Sequence, residues 1–347
     1  MHIPDGFLSP SSMGTLGLGM IPVWLAAAAK TAKSLKIRQV PLLSLGAAFA
    51  FVIQMFNVPL PNGTTLHPLG AALIAIVLGP WAATIGVTIA LVIQALFFGD
   101  GGVAAIGANS FNMAFASSFV SYYTYKIISG KSALTSKRRL AAGAVAGFAG
   151  LNVAALLTAV ELGIQPLLFS AADGKALFFP YSLAQTIPFI SIAHILIGGP
   201  LEGIVTALVI AYLQKANLPM LALYPPRTRI AGEAVQPAIS GLKKVWWGLG
   251  VLIILSPIGL LASGTAWGEW SPEELKNMIG YLPKGIGEAA GSRFNFLPDY
   301  SLPGWETTLF QTATGYIISA LVGLALIFLA VFLFSKFQAK GEKTGGR

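Results

Sequence analysis

Residues 66–98 read LHPLGAALIAIVLGPWAATIGVTIALVIQALFF, and the fold turns on how this stretch is divided. As one helix it would run about 50 Å at 1.5 Å per residue, against a bilayer core of roughly 30 Å. Gly79-Pro80 interrupts it: a proline cannot donate the helical N–H, and a glycine before it permits a sharp change of direction. The stretch therefore divides into a short helix near 67–79 and a full span over 81–98.

The rest of the chain fits a membrane protein. Of 347 residues, 55% are hydrophobic and only 10% charged, where a soluble domain carries about a quarter charged residues. Further apolar runs lie near 14–33, 40–57, 103–128, 140–162, 183–213, 245–263 and 312–334. Charge then chooses between the two readings of 66–98, because basic residues collect in cytoplasmic loops. With a hairpin at Gly79-Pro80 and the N-terminus outside, all of the 22 basic residues except Lys175, Lys276, Lys284 and Arg293 fall on the cytoplasmic side. A single unbroken helix would invert everything after it and expose the KSALTSKRR loop (131–139) outside. Nine segments follow: an all-α polytopic membrane protein, N-terminus outside and C-terminus cytoplasmic. The short 67–79 segment must then lean on protein rather than lipid. Basic charge spread over cytoplasmic loops speaks for the lipid bilayer as partner and against nucleic acid.

The segments group into a seven-helix core over 1–215, a Pro-containing basic cytoplasmic linker over 216–243, and a two-helix module over 244–347 around an external loop, 264–311. No basic stretch or small-residue cleavage site marks the N-terminus as a removable signal, so Met1 is expected to remain as the mature terminus. The outer side collects Asp5, Asp100, Asp173, Glu269, Glu273, Glu274, Glu288, Asp299 and Glu306, an anionic surface that attracts cations.

The chain opens MHIPDGFLSP (1–10) and has no cysteine, so any metal site must use nitrogen and oxygen donors. A free amine one residue before a histidine offers three nitrogens: the Met1 amine, the His2 amide once deprotonated, and the His2 imidazole Nδ1. They close five- and six-membered rings in nearly one plane, an arrangement that suits Ni(II) or Cu(II) and not tetrahedral zinc. The topology brings His67 to the same face as the fourth nitrogen. Pro4, Asp5 and Gly6 break any helix and turn the arm back into the protein. Asp5, Asp100, Asn109 and Asn112 are candidates to orient the imidazoles from behind. Asp5 reads equally as a turn former, and the GDGG at 99–102 lacks the strand and Lys of a phosphate loop. His194 and Glu202 are ionisable groups inside a span, which makes them functional candidates. Their plainer reading is a hydrogen bond to a neighbouring helix, with Gln185 or Glu202 as the partner of His194. Small residues in WLAAAAKTAK (24–33) and LAAGAVAGFAG (140–150) read most simply as helix packing.

MHIPDGFL (1–8), a seven-span core and the TLHPLG of the next outer loop (65–70) resemble the substrate-binding subunit of the nickel and cobalt energy-coupling-factor transporters, the NikM and CbiM family. The rear module, with PDYSLPG (298–304), resembles NikN, and together they resemble a NikMN fusion. That resemblance implies Met1, His2 and His67 as metal ligands. It also implies a membrane coupling subunit (NikQ-like) and a cytoplasmic ATPase (NikO-like) as partners, in the cytoplasmic membrane of a bacterium or archaeon. Cobalt members more often carry other residues at Pro4-Asp5, so the resemblance implies nickel as the transported ion. No Walker motif is present, in keeping with ATP hydrolysis on another chain. Because ligands must lose protons, affinity is expected to fall at acid pH.

Three rivals frame this reading. A cobalt-specific homologue would bind Co(II), which prefers more ligands than four planar nitrogens. A membrane-embedded metalloenzyme would need a zinc or acid-base constellation; with no HExxH and no nucleophile elbow, the chain is read as no enzyme. A pure scaffold would be indifferent to His2→Ala.

Overall fold

The computed structural model describes residues 1–34, 40–60, 64–216, 218–224, 242–262, 264–290, 296–305 and 307–344. Most of the expected linker, including Arg227 and Arg229, lies outside the described residues, as do Lys36, Arg38, Arg293, Glu306 and the Pro61-Asn62-Gly63 stretch before His67.

The helices follow the apolar runs. They are α1 (Pro10–Ser34), α2 (Val40–Gln54), α3 (Ala71–Leu78), α4 (Pro80–Ile93), α5 (Ile106–Asn109), α6 (Ser117–Ser129) and α7 (Lys137–Gly163). Next come α8 (Gln165–Leu168), α9 (Leu183–Ala193), α10 (Gly199–Ala216), α11 (Leu242–Leu255), α12 (Pro272–Ile279), α13 (Lys284–Ala290) and α14 (Leu309–Thr344). Three π-helical turns, Gln94–Phe98, Ser110–Ala116 and His194–Gly198, extend α4, join α5 to α6 and join α9 to α10. Such turns widen the helix and are frequent at functional sites. Among the described residues, six helical runs are long and apolar enough to cross a membrane, and α2 is a shorter apolar helix. With α3 and the joined α5–α6 run, these described helices are compatible with the segments read from the sequence.

The hairpin at residues 79–80 is present. Gly79 adopts φ 90° and ψ 159°, a conformation open to glycine, and Pro80 begins α4 where its missing N–H is not needed. All of α3 except Leu73 is buried, and α2, α4, α6, α7 and α10 surround it. The short segment thus rests on protein, as a helix too short to span lipid must.

Small residues set the closest helix packing. Gly143 and Gly147 of α7 lie against Ile210, Thr206 and the Glu202 backbone of α10, while Gly150 meets Ser121 and Ser117 of α6. A Cβ at any of the three would overlap the neighbour, so these glycines let the helices touch. The alanines of α1 behave differently: only Ala27 and Thr31 of 24–33 are buried, and the opposite face of α1 is open.

Contacts sort the bundle into two ends. At one, Lys30 Nζ lies 4.3 Å over the Trp81 ring, Tyr224 packs on Gly79, and Gln214 Nε2 donates to Leu134 O at 2.7 Å. At the other, the arm 1–9, the hairpin of β1 (Val58–Pro59) with β2 (Thr65–Leu66), the 99–105 turn and the 264–305 segment come together. Within 264–311, α12 and α13 fold back on this end: Gly285 N donates to Leu177 O (2.9 Å), and Ala266 bridges Thr65. A Ser271–Glu274 capping box starts α12 and Gly280 closes it. Leu249 and Ile253 of α11 and Tyr316, Ala320 and Ile327 of α14 belong to the same buried cluster as Phe51 and Leu69.

Candidate metal centre

The N-terminal arm is an inserted strand of chain. Ile3 and Leu8 are wholly buried and Phe7 nearly so, which draws the arm into the bundle. Asn109, at the end of α5, clamps it as a second backbone would: Oδ1 accepts from Ile3 N (2.8 Å) and Nδ2 donates to Ile3 O (3.1 Å). Asp5 accepts from Val103 N (3.0 Å) and Ala104 N (2.9 Å), and Gly102 N donates to Ile3 O (2.9 Å). The GDGG turn is therefore the cradle of the arm, because a side chain on Gly102 would run into Asp5.

This anchoring places the first two residues inside the protein. Met1 is 7% exposed, His2 3% and His67 5%. The His2 and His67 rings stack with centroids 4.9 Å apart and planes 27° apart. His67 Nδ1 faces Pro68 O at 3.0 Å, and a carbonyl can only accept, so Nδ1 carries the proton and Nε2 is left with its lone pair. His67 Nε2 is buried and has no hydrogen-bond partner among the described residues. Burial, the Met1 ammonium and His2 all push the His67 pKa well below its usual value, which keeps the ring neutral.

His67 is aimed by a carboxylate from another helix. Glu202 of α10, 1% exposed, accepts from Leu69 N (2.8 Å) and Gly70 N (2.9 Å), the free amides just ahead of α3. A negative charge at a helix N-terminus is favourable, and it fixes the backbone two residues after His67. The sequence reading offered Gln185 or Glu202 as the partner of His194, whereas Glu202 accepts from these amides and His194 Nδ1 faces Ile190 O.

Behind His2 stands Asp100. Its Oδ1 lies 2.9 Å from His2 Nδ1, and its Oδ2 accepts from Tyr300 Oη (2.6 Å) and Gln94 Nε2 (3.3 Å). Burial alone would raise the Asp100 carboxyl, but His2, His67 and the Tyr300 hydroxyl together hold it well below the usual range. Burial works to lower His2, and the Asp100 charge and hydrogen bond outweigh it, leaving His2 raised. Tyr300, buried beside that carboxylate, is pushed well above its usual value and stays a donor. His2 Nε2, like His67 Nε2, is buried with no hydrogen-bond partner among the described residues. The Met1 amine is paired with Glu269 Oε1 at 2.6 Å.

The structure thus brings together Met1, His2, His67 and Asp100, with Asn109 holding the arm's backbone at Ile3 and Asp5 tying the arm to the amides of Val103 and Ala104. Asn112 instead donates to Glu161 Oε2 (2.8 Å) and Thr158 Oγ1 (3.3 Å). His194 lines the same cavity as Met1 and His2. Sequence reasoning missed Glu269 and Tyr300 as site groups: both come from the rear module, 268 and 200 residues away from their partners. Glu269 was counted only as external charge, and PDYSLPG marked Tyr300 without saying what it touches.

The bundle has six helical runs long and apolar enough to cross a membrane among the described residues, and Met1 and His2 lie buried against the His67 ring; comparison with known proteins gives the class. Residues 2–220 match the family described as cobalt uptake substrate-specific transmembrane region, and 243–340 match the PDGLE domain. The chain belongs to this cobalt-uptake family of metal transport components and is no enzyme. It is 40% identical to the fused nickel transport protein NikMN of Rhodobacter capsulatus, covering 99% of this chain and 100% of that one. It is 34% identical to the cobalt transport protein CbiM of Thermosipho melanesiensis over 62% of this chain and 88% of that protein. A solved structure described as a transition metal transporter superposes with a TM-score of 0.59 at 49% identity, covering 65% of this chain and all of that one.

Proposed function

We propose that the chain captures Ni(II) at the outer face of a cytoplasmic membrane and presents it for uptake driven by a NikQ-like coupling subunit and a NikO-like ATPase. The ligands are the Met1 amine, the His2 amide and imidazole, and His67 Nε2. One observation carries this reading: a chain terminus, normally solvated, is buried against two stacked imidazoles, one of which is tautomer-locked with its free lone pair inward. Buried polar atoms are usually paired, and His67 Nε2, the donor assigned to the ion, is among the buried atoms with no hydrogen-bond partner among the described residues.

Binding rearranges two contacts. The planar chelate uses His2 Nδ1, which in the structure faces Asp100, and an amine that faces Glu269. The ion therefore replaces two carboxylate contacts, and both carboxylates stay close enough to balance its charge. The fused relatives of Rhodobacter capsulatus and Lactiplantibacillus plantarum are both named nickel transport proteins, which supports nickel. One feature favours a second reading, cobalt: His2, Asp100 and Glu269 present ligand atoms within 4.8 Å of one another, a mixed nitrogen and oxygen set that suits a higher-coordinate ion.

The test is a calorimetric nickel titration of the purified chain beside His2→Gln, which removes the imidazole at nearly constant size and leaves the amine and amide in place. Loss of tight binding is expected; equal binding would reject the chelate.

A further inference from the structure

The chain has three histidines, and the proposed site uses two. The third, His194, stands at the start of the π-helical turn His194–Gly198, is 7% exposed, and repeats the arrangement seen at His67. Its Nδ1 lies 2.7 Å from the Ile190 carbonyl, so Nδ1 carries the proton and Nε2 carries the lone pair. That Nε2 is buried and has no hydrogen-bond partner among the described residues. A histidine kept only for packing would be expected to satisfy both nitrogens.

The surroundings give the free lone pair a use. His194 lines a cavity of about 890 Å³ whose wall also includes Met1, His2, Thr158 and Glu269. The cavity reaches the outer surface at α12, where Met278 (51% exposed) and exposed Glu274 line it. It is a passage from outside the protein to the buried terminus, with carboxylates along it that draw in cations.

We propose that His194 Nε2 is the ligand of a second, weaker site for a divalent transition-metal ion, on the wall of the passage leading to Met1, His2 and His67. The ion arrives hydrated, exchanges one water for the imidazole, and keeps its other waters until the terminal chelate takes it. One nitrogen ligand holds such an ion weakly, which suits a stopping point on an inward route. This inference rests on the proposed function, which makes the terminal site the destination.

The experiment uses the full chain purified without a histidine tag. In the double variant His2→Ala, His67→Ala, the only imidazole is His194, and Cu(II), which favours nitrogen donors, serves as probe. Pulsed electron paramagnetic resonance should show an imidazole nitrogen coupled to copper in the double variant and none after adding His194→Ala. Absence of the coupling in the double variant overturns the proposal. In the otherwise unaltered chain, His194→Gln keeps a side-chain donor for Ile190 O, and unchanged thermal unfolding checks the fold. That variant should hold nickel at the terminal site with unchanged affinity but load it about tenfold more slowly, the scale on which supporting groups act at metal sites. An unchanged loading rate overturns the proposal. Failure of the unaltered chain to bind nickel would count against the terminal site itself, and the copper measurement separates the two.

Discussion

At the scale of single residues, Asp100 links the arm to the rear module. It takes His2 Nδ1 on one oxygen and Tyr300 Oη on the other, so both the position and the charge balance of His2 depend on it. Asp100→Asn removes the negative charge that stays beside the ion once His2 Nδ1 has passed from Asp100 to the metal, and is expected to weaken nickel binding about 10- to 100-fold. Tyr300→Phe, which removes only the hydroxyl, should weaken it less, and titration of both variants checks the order. Proton release gives a second expectation. The Met1 amine and His2 amide must lose protons to bind nickel, so affinity rises with pH and falls on acidification. His67, held neutral by its surroundings, adds little to that slope. Affinity that stays flat between about pH 8 and about pH 5 would contradict amide ligation. His2 and His67 were legible in the sequence because histidine is scarce and the topology put both on one face. Glu269 and Tyr300 were not, since a contact between distant segments leaves no periodic trace.

At the scale of elements, the α3–α4 hairpin decides where His67 points. Gly79 turns the chain, α3 lies wholly among other helices, and Glu202 ties down the amides ahead of it. Glu202→Ala leaves two buried N–H groups unpaired, so a loss of about 3 kcal/mol of stability is expected. Thermal unfolding should show it, and nickel affinity should fall as His67 loses its aim. Gly150→Val would drive a branched side chain into Ser121 and Ser117, an overpacking worth about 1–3 kcal/mol and read by the same unfolding measurement. The hairpin could be read from length and from Gly79-Pro80. The role of Glu202 could not, because sequence offered a histidine eight positions away as the obvious partner, and the helix end that needs the charge lies 132 residues off. Likewise the glycines in 140–150 announced close packing, but not against which helices.

At the scale of the whole molecule, the rear module covers the site that the front module builds. Glu269 meets the amine, Tyr300 meets Asp100, and Leu297 N donates to Phe97 O at 3.0 Å beside the same turn. Asp299 and Tyr300 both adopt positive φ, 50° and 60°, a costly conformation for residues with side chains, and it accompanies insertion of the Tyr300 ring against Phe98. Fusion in one chain keeps these partners at hand. The proposed orientation follows from the basic residues at the opposite end, and the absence of cysteine makes it simple to check. A membrane-impermeant maleimide should label Lys276→Cys on intact cells and Lys131→Cys only after permeabilisation; the reverse pattern would invert the topology. The central claim remains that a chain terminus is itself a metal ligand. Crystals of the nickel-loaded chain, measured at the nickel absorption edge, test it most directly. The account predicts one dominant anomalous peak bonded to the Met1 amine, His2 and His67 Nε2, whereas a peak elsewhere, with residues 1–3 in solvent, would contradict it.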